Sequence, residues 1–341
     1  MSFAFNFSGD DIDPDEDEST SQGNVAVSSA SLPDAVSNVP VQEHSLSEWL
    51  PLLPSRLSYA TTPILSPSGQ HLLLPRRELF DIRQQLMAED NHALLTSLST
   101  SDISSQIYEG GFKTWECSLD LASLLLDRCS KDSIDGLDGV ANVVELGAGS
   151  ALPTLVLFQL ALREGRAVKF TVADFNADVL RLVSLPNLVL AWAKLRGKEG
   201  MGGGTGDLDV TEELVREFEA DLGQAGVEAK LLSGPWGGDM LKLMPRNFDG
   251  KATLVLAAET IYSPASLQSF VNLVHDVLNG GAMNKAYVAA KKFYFGVGGS
   301  IDALKMSSRE RGMVAAEVET VGLNGMEEGV GRAIVEVQLS K

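Results

Sequence analysis

Basic residues are scarce in this 341-residue chain. Lys and Arg number 27 against 46 Asp and Glu, a formal net charge of −19. So acidic a protein is a poor generic ligand for a phosphate backbone, and direct, specific nucleic-acid binding is not expected. The shortage is total at the start: residues 1–55 hold ten Asp/Glu and no Lys or Arg. Cysteine is nearly missing. Cys117 and Cys129 offer neither a disulfide framework nor a metal-cluster spacing, which points to a reducing compartment. The four histidines, His44, His71, His92 and His275, match no metal-ligand spacing either. No apolar run reaches the roughly 18 residues of a membrane span. The basic start of a signal peptide is also missing. Together these absences predict a soluble intracellular protein with no membrane partner.

Apolar residues make up 44% of the chain, enough to bury the core of one large domain or two modest ones. The serine-rich acidic segment 1–45 has no strong periodicity and is expected to be disordered. It either solubilises the chain or steers it towards a basic protein. A short apolar patch, Phe3–Phe7, precedes its acidic run. Residues 46–107 read as a cap with Pro-rich turns and a helical stretch near 77–98. The α/β core is expected over 108–341.

Strands are predicted near 141–146, 168–173, 228–233, 252–258, 285–292, 313–320 and 331–339. Helices are predicted near 118–129, 151–163, 177–195, 209–223 and 264–279. The alternation argues for an α/β, doubly wound parallel sheet. Between the last two strands lie only turn formers, so they read as an antiparallel closing pair and the seven-strand sheet ends on an antiparallel strand. The run Gly200–Gly206 reads as a flexible loop tip; no Lys-Ser/Thr follows it, so it is not a phosphate loop.

The most informative stretch is 143–153. Aliphatic residues lead into Glu145, a turn through Gly147 and Gly149, and an apolar helical run. Glycines there let backbone approach a ligand, and a helix start offers free N–H groups. The third glycine of a dinucleotide fingerprint is missing, since Leu152 holds its place. A second acid, Asp174, closes the next strand. A carboxylate at that point can clamp both ribose hydroxyls of an adenosine. The pair Glu145 and Asp174 therefore suits a nucleoside without phosphates, such as S-adenosylmethionine; the alternative is an ordinary strand-turn-helix. Upstream, Trp115 reads as a flat ligand wall or a core anchor, and Glu116 is placed to accept from a cofactor ammonium.

Seven segments taken together resemble the protein-histidine N-methyltransferases, a branch of the seven-strand S-adenosylmethionine-dependent, Rossmann-like methyltransferases. They are 108–118, 143–153, 173–176, 185–188, 233–236, 259–264 and 294–299. The Trp-Glu-Cys, Glu-Thr-Ile-Tyr and Tyr-Phe-Gly-Val-Gly-Gly pieces separate this branch from lysine-modifying relatives. The resemblance implies a cofactor pocket for S-adenosyl-L-methionine. Thr114, Trp115, Glu116, Cys117 and Ser118 would line it, with Gly147 and Gly149 at the methionine end. Ala173, Asp174 and Phe175 would hold the ribose, Gly234, Pro235 and Trp236 would cover the adenine, and Ala258 would close the floor. Ala151 replaces a frequent glycine, with its Cβ expected to sit outward. Pro235 replaces a frequent acid, so the adenine amino contact is open, with Asp239 as a candidate.

The same resemblance implies a basic large-subunit ribosomal protein as substrate, modified at the tele nitrogen of one histidine in cytoplasm or nucleus. Glu259 is expected to orient the acceptor imidazole with Tyr262 beside it; the alternative is a helix-cap role for Glu259 and Thr260. Competing readings are a lysine methyltransferase of the same fold and a non-catalytic cofactor-binding scaffold in ribosome assembly.

Overall fold

The computed structural model describes residues 39–100, 110–129, 134–245, 250–281, 283–320, 322–323, 326 and 329–340. The tail up to residue 38, with its Phe3–Phe7 patch, lies outside these residues, as do Tyr108 and Glu109.

The described chain opens with strand β1 (Gln42–His44) and helix α1 (Leu46–Trp49). A hairpin of β2 (Arg56–Leu65) and β3 (His71–Arg77) follows, then α2 (Leu79–Ala88) and α3 (His92–Thr100). Next come α4 (Glu116–Arg128), β4 (Val140–Leu146), α5 (Leu152–Glu164), β5 (Lys169–Asp174), α6 (Ala177–Val179) and α7 (Leu185–Leu195). Then run β6 (Thr205–Asp209), α8 (Glu212–Ala225), β7 (Glu228–Ser233), α9 (Gly238–Leu243) and β8 (Ala252–Ala258). The chain closes with α10 (Pro264–Leu278), β9 (Lys285–Lys291), α11 (Ile301–Glu310), β10 (Met313–Glu317) and β11 (Arg332–Leu339).

The main sheet has the order β1-β7-β5-β4-β8-β9-β11-β10. Strands β7, β5, β4, β8 and β9 run parallel, while β11 lies antiparallel between β9 and β10. The seven expected strands are all present, with the antiparallel last strand. Side chains alternate between two cores, as a strand's period of two requires. Val143, Leu254, Leu256 and Tyr287 face the side covered by α4, α5, α7 and α8. Val144, Val255, Ala257 and Val288 face the side covered by α9, α10 and α11. Burial on both faces is why these strands read as continuous apolar runs.

The structure corrects four expectations. Gln42–His44, placed in the tail, pairs antiparallel with β7 as an eighth, edge strand. Thr205 and Gly206, expected at the end of the loop tip, instead begin strand β6, which pairs with Arg56–Ala60 of β2 in a second sheet of order β3-β2-β6. In both cases the defining partner is remote in sequence, so no local pattern marks the strand. Helices α9 and α11 were not expected; α11 is capped by Ser300, whose side chain accepts from Ala303 N. The helical stretch near 77–98 is two helices, broken at Asp90, where φ is 52°.

The segment 177–195 is helical but widens into a π turn over Leu180–Ser184. Pro186 supplies the reason: it has no N–H for the Leu182 carbonyl four residues back, and its ring crowds that carbonyl. The guanidinium of Arg77 takes over, donating from Nη1 to Leu182 O at 3.0 Å and from Nε to Asp81 Oδ2 at 2.6 Å. The widened turn positions the next motif. Ser184 Oγ donates to Gly149 O at 2.7 Å, and Asn187 Nδ2 donates to Ser150 O at 2.9 Å.

Candidate active site

The sheet order reverses at β4, which has β5 on one side and β8 on the other. Ligands of open α/β sheets bind beyond the carboxyl ends of strands at such a point. There the turn after β4, Asp174 at the end of β5 and Glu259 after β8 converge on one cavity of about 70 Å³.

The glycine turn is built from two left-handed residues, Gly147 (φ 66°) and Gly149 (φ 51°). Side chains are excluded by close neighbours as well as by φ. A Cβ on Gly147 would fall 2.8 Å from Thr260 Cγ2, and one on Gly149 would fall 3.1 Å from Gly111 O. Asp174 holds the turn in place, its Oδ2 accepting from Gly149 N at 3.0 Å and its Oδ1 from Asn176 N at 3.1 Å. Ala151 is also left-handed (φ 57°), but it is fully buried. The expected outward Cβ is therefore corrected; the residue carries the left-handed penalty, on the order of 1–2 kcal/mol, inside the core.

Of the expected cofactor residues, Trp115, Ser118, Gly147, Gly149, Asp174, Phe175, Trp236 and Ala258 line this cavity. The others do not. Glu145 is 1% exposed and stands behind the turn, its Oε2 accepting from Thr154 N of α5 at 2.9 Å. Burial pushes its pKa up to about 8. It is a positioning group: it caps a helix that has no cap of its own beyond Ala151. Glu116 faces away, 66% exposed at its side chain, with Arg332 Nη1 at 3.4 Å. Cys117 and Ala173 are buried beneath the lining. Thr114 and Pro235 stand beside it, not in it. Gly234 (φ 119°) serves the edge strand, since a Cβ there would fall 2.8 Å from Val41 Cα. Asp239 does not line the cavity; it accepts from Lys242 Nζ at 2.6 Å on the surface.

Glu259 is the unusual residue. Its φ of 58° is left-handed, a conformation that non-glycine residues rarely hold without a compensating network. Glu259 N donates to Ala289 O of β9 at 3.0 Å, which ends the strand pairing. The side chain turns into the site, where Oε2 accepts from the Tyr294 hydroxyl at 2.5 Å and Oε1 is buried without a partner. Burial, then the Glu259 charge, holds the Tyr294 hydroxyl firmly protonated. The same two causes push the Cys117 thiol up. The helix-cap alternative does not hold, because Ser263 caps α10 through a reciprocal box with Ser266.

Glu259, Trp115 and Tyr262 line a second cavity as well, of about 280 Å³. Lys291, Phe293, Tyr294 and Phe295 complete much of its wall. The motif of residues 294–299 is legible in the sequence, but its place at the site is not. The strand that carries Lys291 reaches Glu259 only through the tertiary pairing of β8 with β9. Lys113, Ala148, Ser150 and Thr260, which line the first cavity, were also missed; each sits beside a motif residue.

No family model matches the chain. Relatives over most of its length do. Histidine protein methyltransferase 1 of Schizosaccharomyces pombe is 37% identical over 312 residues, covering 89% of this chain and 86% of the relative. Histidine protein methyltransferase 1 of Saccharomyces cerevisiae is 33% identical over 339 residues, covering 88% and 89%. With more than 30% identity over more than two thirds of both chains, the chain belongs to the histidine protein methyltransferase 1 family.

Proposed function

We propose that the protein transfers a methyl group from S-adenosylmethionine to the tele nitrogen of one histidine in a basic large-subunit ribosomal protein. The observation that carries this reading is Glu259: one carboxylate oxygen is held by Tyr294, and the other is buried without a partner where two cavities meet.

The first cavity fits the cofactor. Ser118, Trp236, Glu259 and Thr260 line it, and each has a buried polar atom without a partner: Oγ, Nε1, Oε1 and Oγ1 respectively. Leaving such atoms unpaired costs roughly 1–3 kcal/mol each, so a ligand with several donors and acceptors suits them. The Asp174 carboxylate, fixed by Gly149 N and Asn176 N, stands in the lining as the acceptor for the ribose hydroxyls. Trp236, packed edge-on against Phe270, supplies a flat apolar wall for the adenine.

When bound, S-adenosylmethionine supplies a methyl group on a positively charged sulfur, already activated. The protein then has to align the acceptor, an effect worth several kcal/mol. A neutral imidazole carries one N–H and one lone pair. Glu259 Oε1 accepts the N–H of the near ring nitrogen, which leaves the lone pair on the tele nitrogen. The same carboxylate faces the positive charge that grows on the ring, and Tyr294 keeps it in position.

The net charge of −19 suits a basic protein substrate, and we place the activity in cytoplasm and nucleus. The test is incubation of the protein with labelled S-adenosylmethionine and large-subunit proteins from cells lacking this gene, followed by amino-acid analysis. Label in tele-methylhistidine of one basic protein is expected. Label in methyllysine would overturn the acceptor, and tight cofactor binding without any transfer would favour a scaffold.

A further inference from the structure

Glu259 and Lys291 leave the sheet side by side. Glu259 follows β8 and Lys291 ends β9, parallel neighbours whose register sets Ala258 against Ala289. Tyr294 links them: its hydroxyl donates to Glu259 Oε2 and accepts from Lys291 N at 3.2 Å. Among the described residues, Glu259 and Lys291 are the two charged side chains that line the second cavity. They do not neutralise each other by contact. Glu259 Oε1 has no partner, and the Lys291 ammonium lies over the Trp115 ring, 5.6 Å from its centre.

A histidine attacks a methyl group only as neutral imidazole, because the imidazolium has no lone pair. Its ordinary pKa is about 6.5. A carboxylate at contact distance favours the charged ring by about tenfold or more. Alone, Glu259 would hold the ring as imidazolium near neutral pH and stop the reaction it orients. We infer that Lys291 keeps the acceptor histidine neutral by offsetting Glu259, and so sets the pH range in which methyl transfer runs. The inference rests on the reading that Glu259 holds the acceptor ring.

Protonation places a whole extra charge on the ring, which a nearby ammonium opposes. Methyl transfer adds none: the N–C bond forms as the C–S bond breaks, and the positive charge passes from sulfur to ring. Lys291 therefore penalises the protonated acceptor more than the transition state. The other groups around the ring leave this balance to the pair. On α4, Glu116 and Asp120 are engaged by Arg332 of β11. Burial, then the Glu259 charge, keeps the Cys117 thiol and the Tyr294 hydroxyl protonated. Tyr262 adds a phenol from the α10 side, Lys113 and Asp174 line the first cavity, and Lys292 lies along Gly331.

The experiment mixes the full chain, loaded with labelled S-adenosylmethionine, with excess large-subunit ribosomal proteins from cells lacking this gene. Methylhistidine formed in a single turnover is followed from about pH 5.5 to about pH 9 in the parent, Lys291→Met, Lys291→Arg and Glu259→Gln. In Lys291→Met the acidic limb should move up by about one on the pH scale. The rate near pH 6 then drops about tenfold, while the rate near pH 9 stays within about twofold of the parent's. Lys291→Arg keeps the charge and should restore the parent profile. Glu259→Gln should slow transfer and move the limb down. Both Lys291 variants should bind S-adenosylmethionine as the parent does, because Lys291 does not line the first cavity. Equal slowing of Lys291→Met at every pH, or an unmoved limb, overturns the inference; if Glu259→Gln still shows its slowing and downward shift, the proposed function stands. A Glu259→Gln profile identical to the parent's overturns both, and so does the absence of methylhistidine from the parent's products.

Discussion

Glu259 accepts the Tyr294 hydroxyl through Oε2 at 2.5 Å, and this contact leaves Oε1 buried at the meeting of two cavities. A left-handed glutamate at a strand end is held by a tyrosine 35 residues away, so the two act as one device.

Glu259→Gln keeps the shape and one acceptor but removes the charge facing the developing imidazolium. Single-turnover methylation should slow by about 10²–10³, the usual cost of one preorganised contact. S-adenosylmethionine affinity should change little. Ser263→Ala is the control: it should lose about 0.5–2 kcal/mol of stability by uncapping α10 and leave the rate intact. A near-normal rate in Glu259→Gln would move this residue from the site to the scaffold.

Tyr294→Phe should lower kcat with little effect on the KM for S-adenosylmethionine, because Oε2 of Glu259 loses its donor while the first cavity keeps its lining. Equal loss in both parameters would argue for a general disturbance of the loop instead.

Asp174→Ala removes the acceptor for Gly149 N and Asn176 N together with the proposed ribose clamp. Calorimetry should register a loss of cofactor affinity of tenfold or more, and denaturation a loss of about 1–3 kcal/mol, since buried donors are left unpaired. Unchanged binding would take Asp174 out of the cofactor site.

Glu145 makes stability depend on pH. Burial raises it to about 8 from an ordinary 4.5, so between those values the folded chain keeps a proton that the unfolded chain has lost. The stability it contributes is complete below pH 4.5 and is lost as pH rises through about 8, on the order of 5 kcal/mol in all. Glu145→Gln is neutral throughout and still accepts from Thr154 N. Its melting temperature should gain on the parent's steadily from pH 5 to pH 8. A constant difference would mean that Glu145 does not titrate in this range.

Deleting residues 1–38 retains β1 and removes eight of the chain's acidic residues with no basic ones. Methylation of a basic protein should slow at low salt and converge with the parent at high salt, where screening removes steering. Identical salt profiles would leave the tail as a solubiliser.

The amino-acid sequence by itself determined the layered α/β core. Two-sided burial writes each parallel strand as an apolar run, and the turn at Gly147 and Gly149 follows from local backbone chemistry. It also determined Asp174 and Glu259 as strand-end acids, because strand ends are legible wherever apolar runs stop. Tertiary structure decided what those acids touch. It put Glu145 behind the turn as a helix cap, turned Glu116 out towards Arg332, and gave Gly234 to the edge strand. It also brought the 293–299 loop against Glu259, through a pairing of β8 with β9 that no local pattern encodes. The reason is physical. Periodicity records whether a residue is buried, whereas a side chain's partner depends on which remote element the sheet order sets beside it.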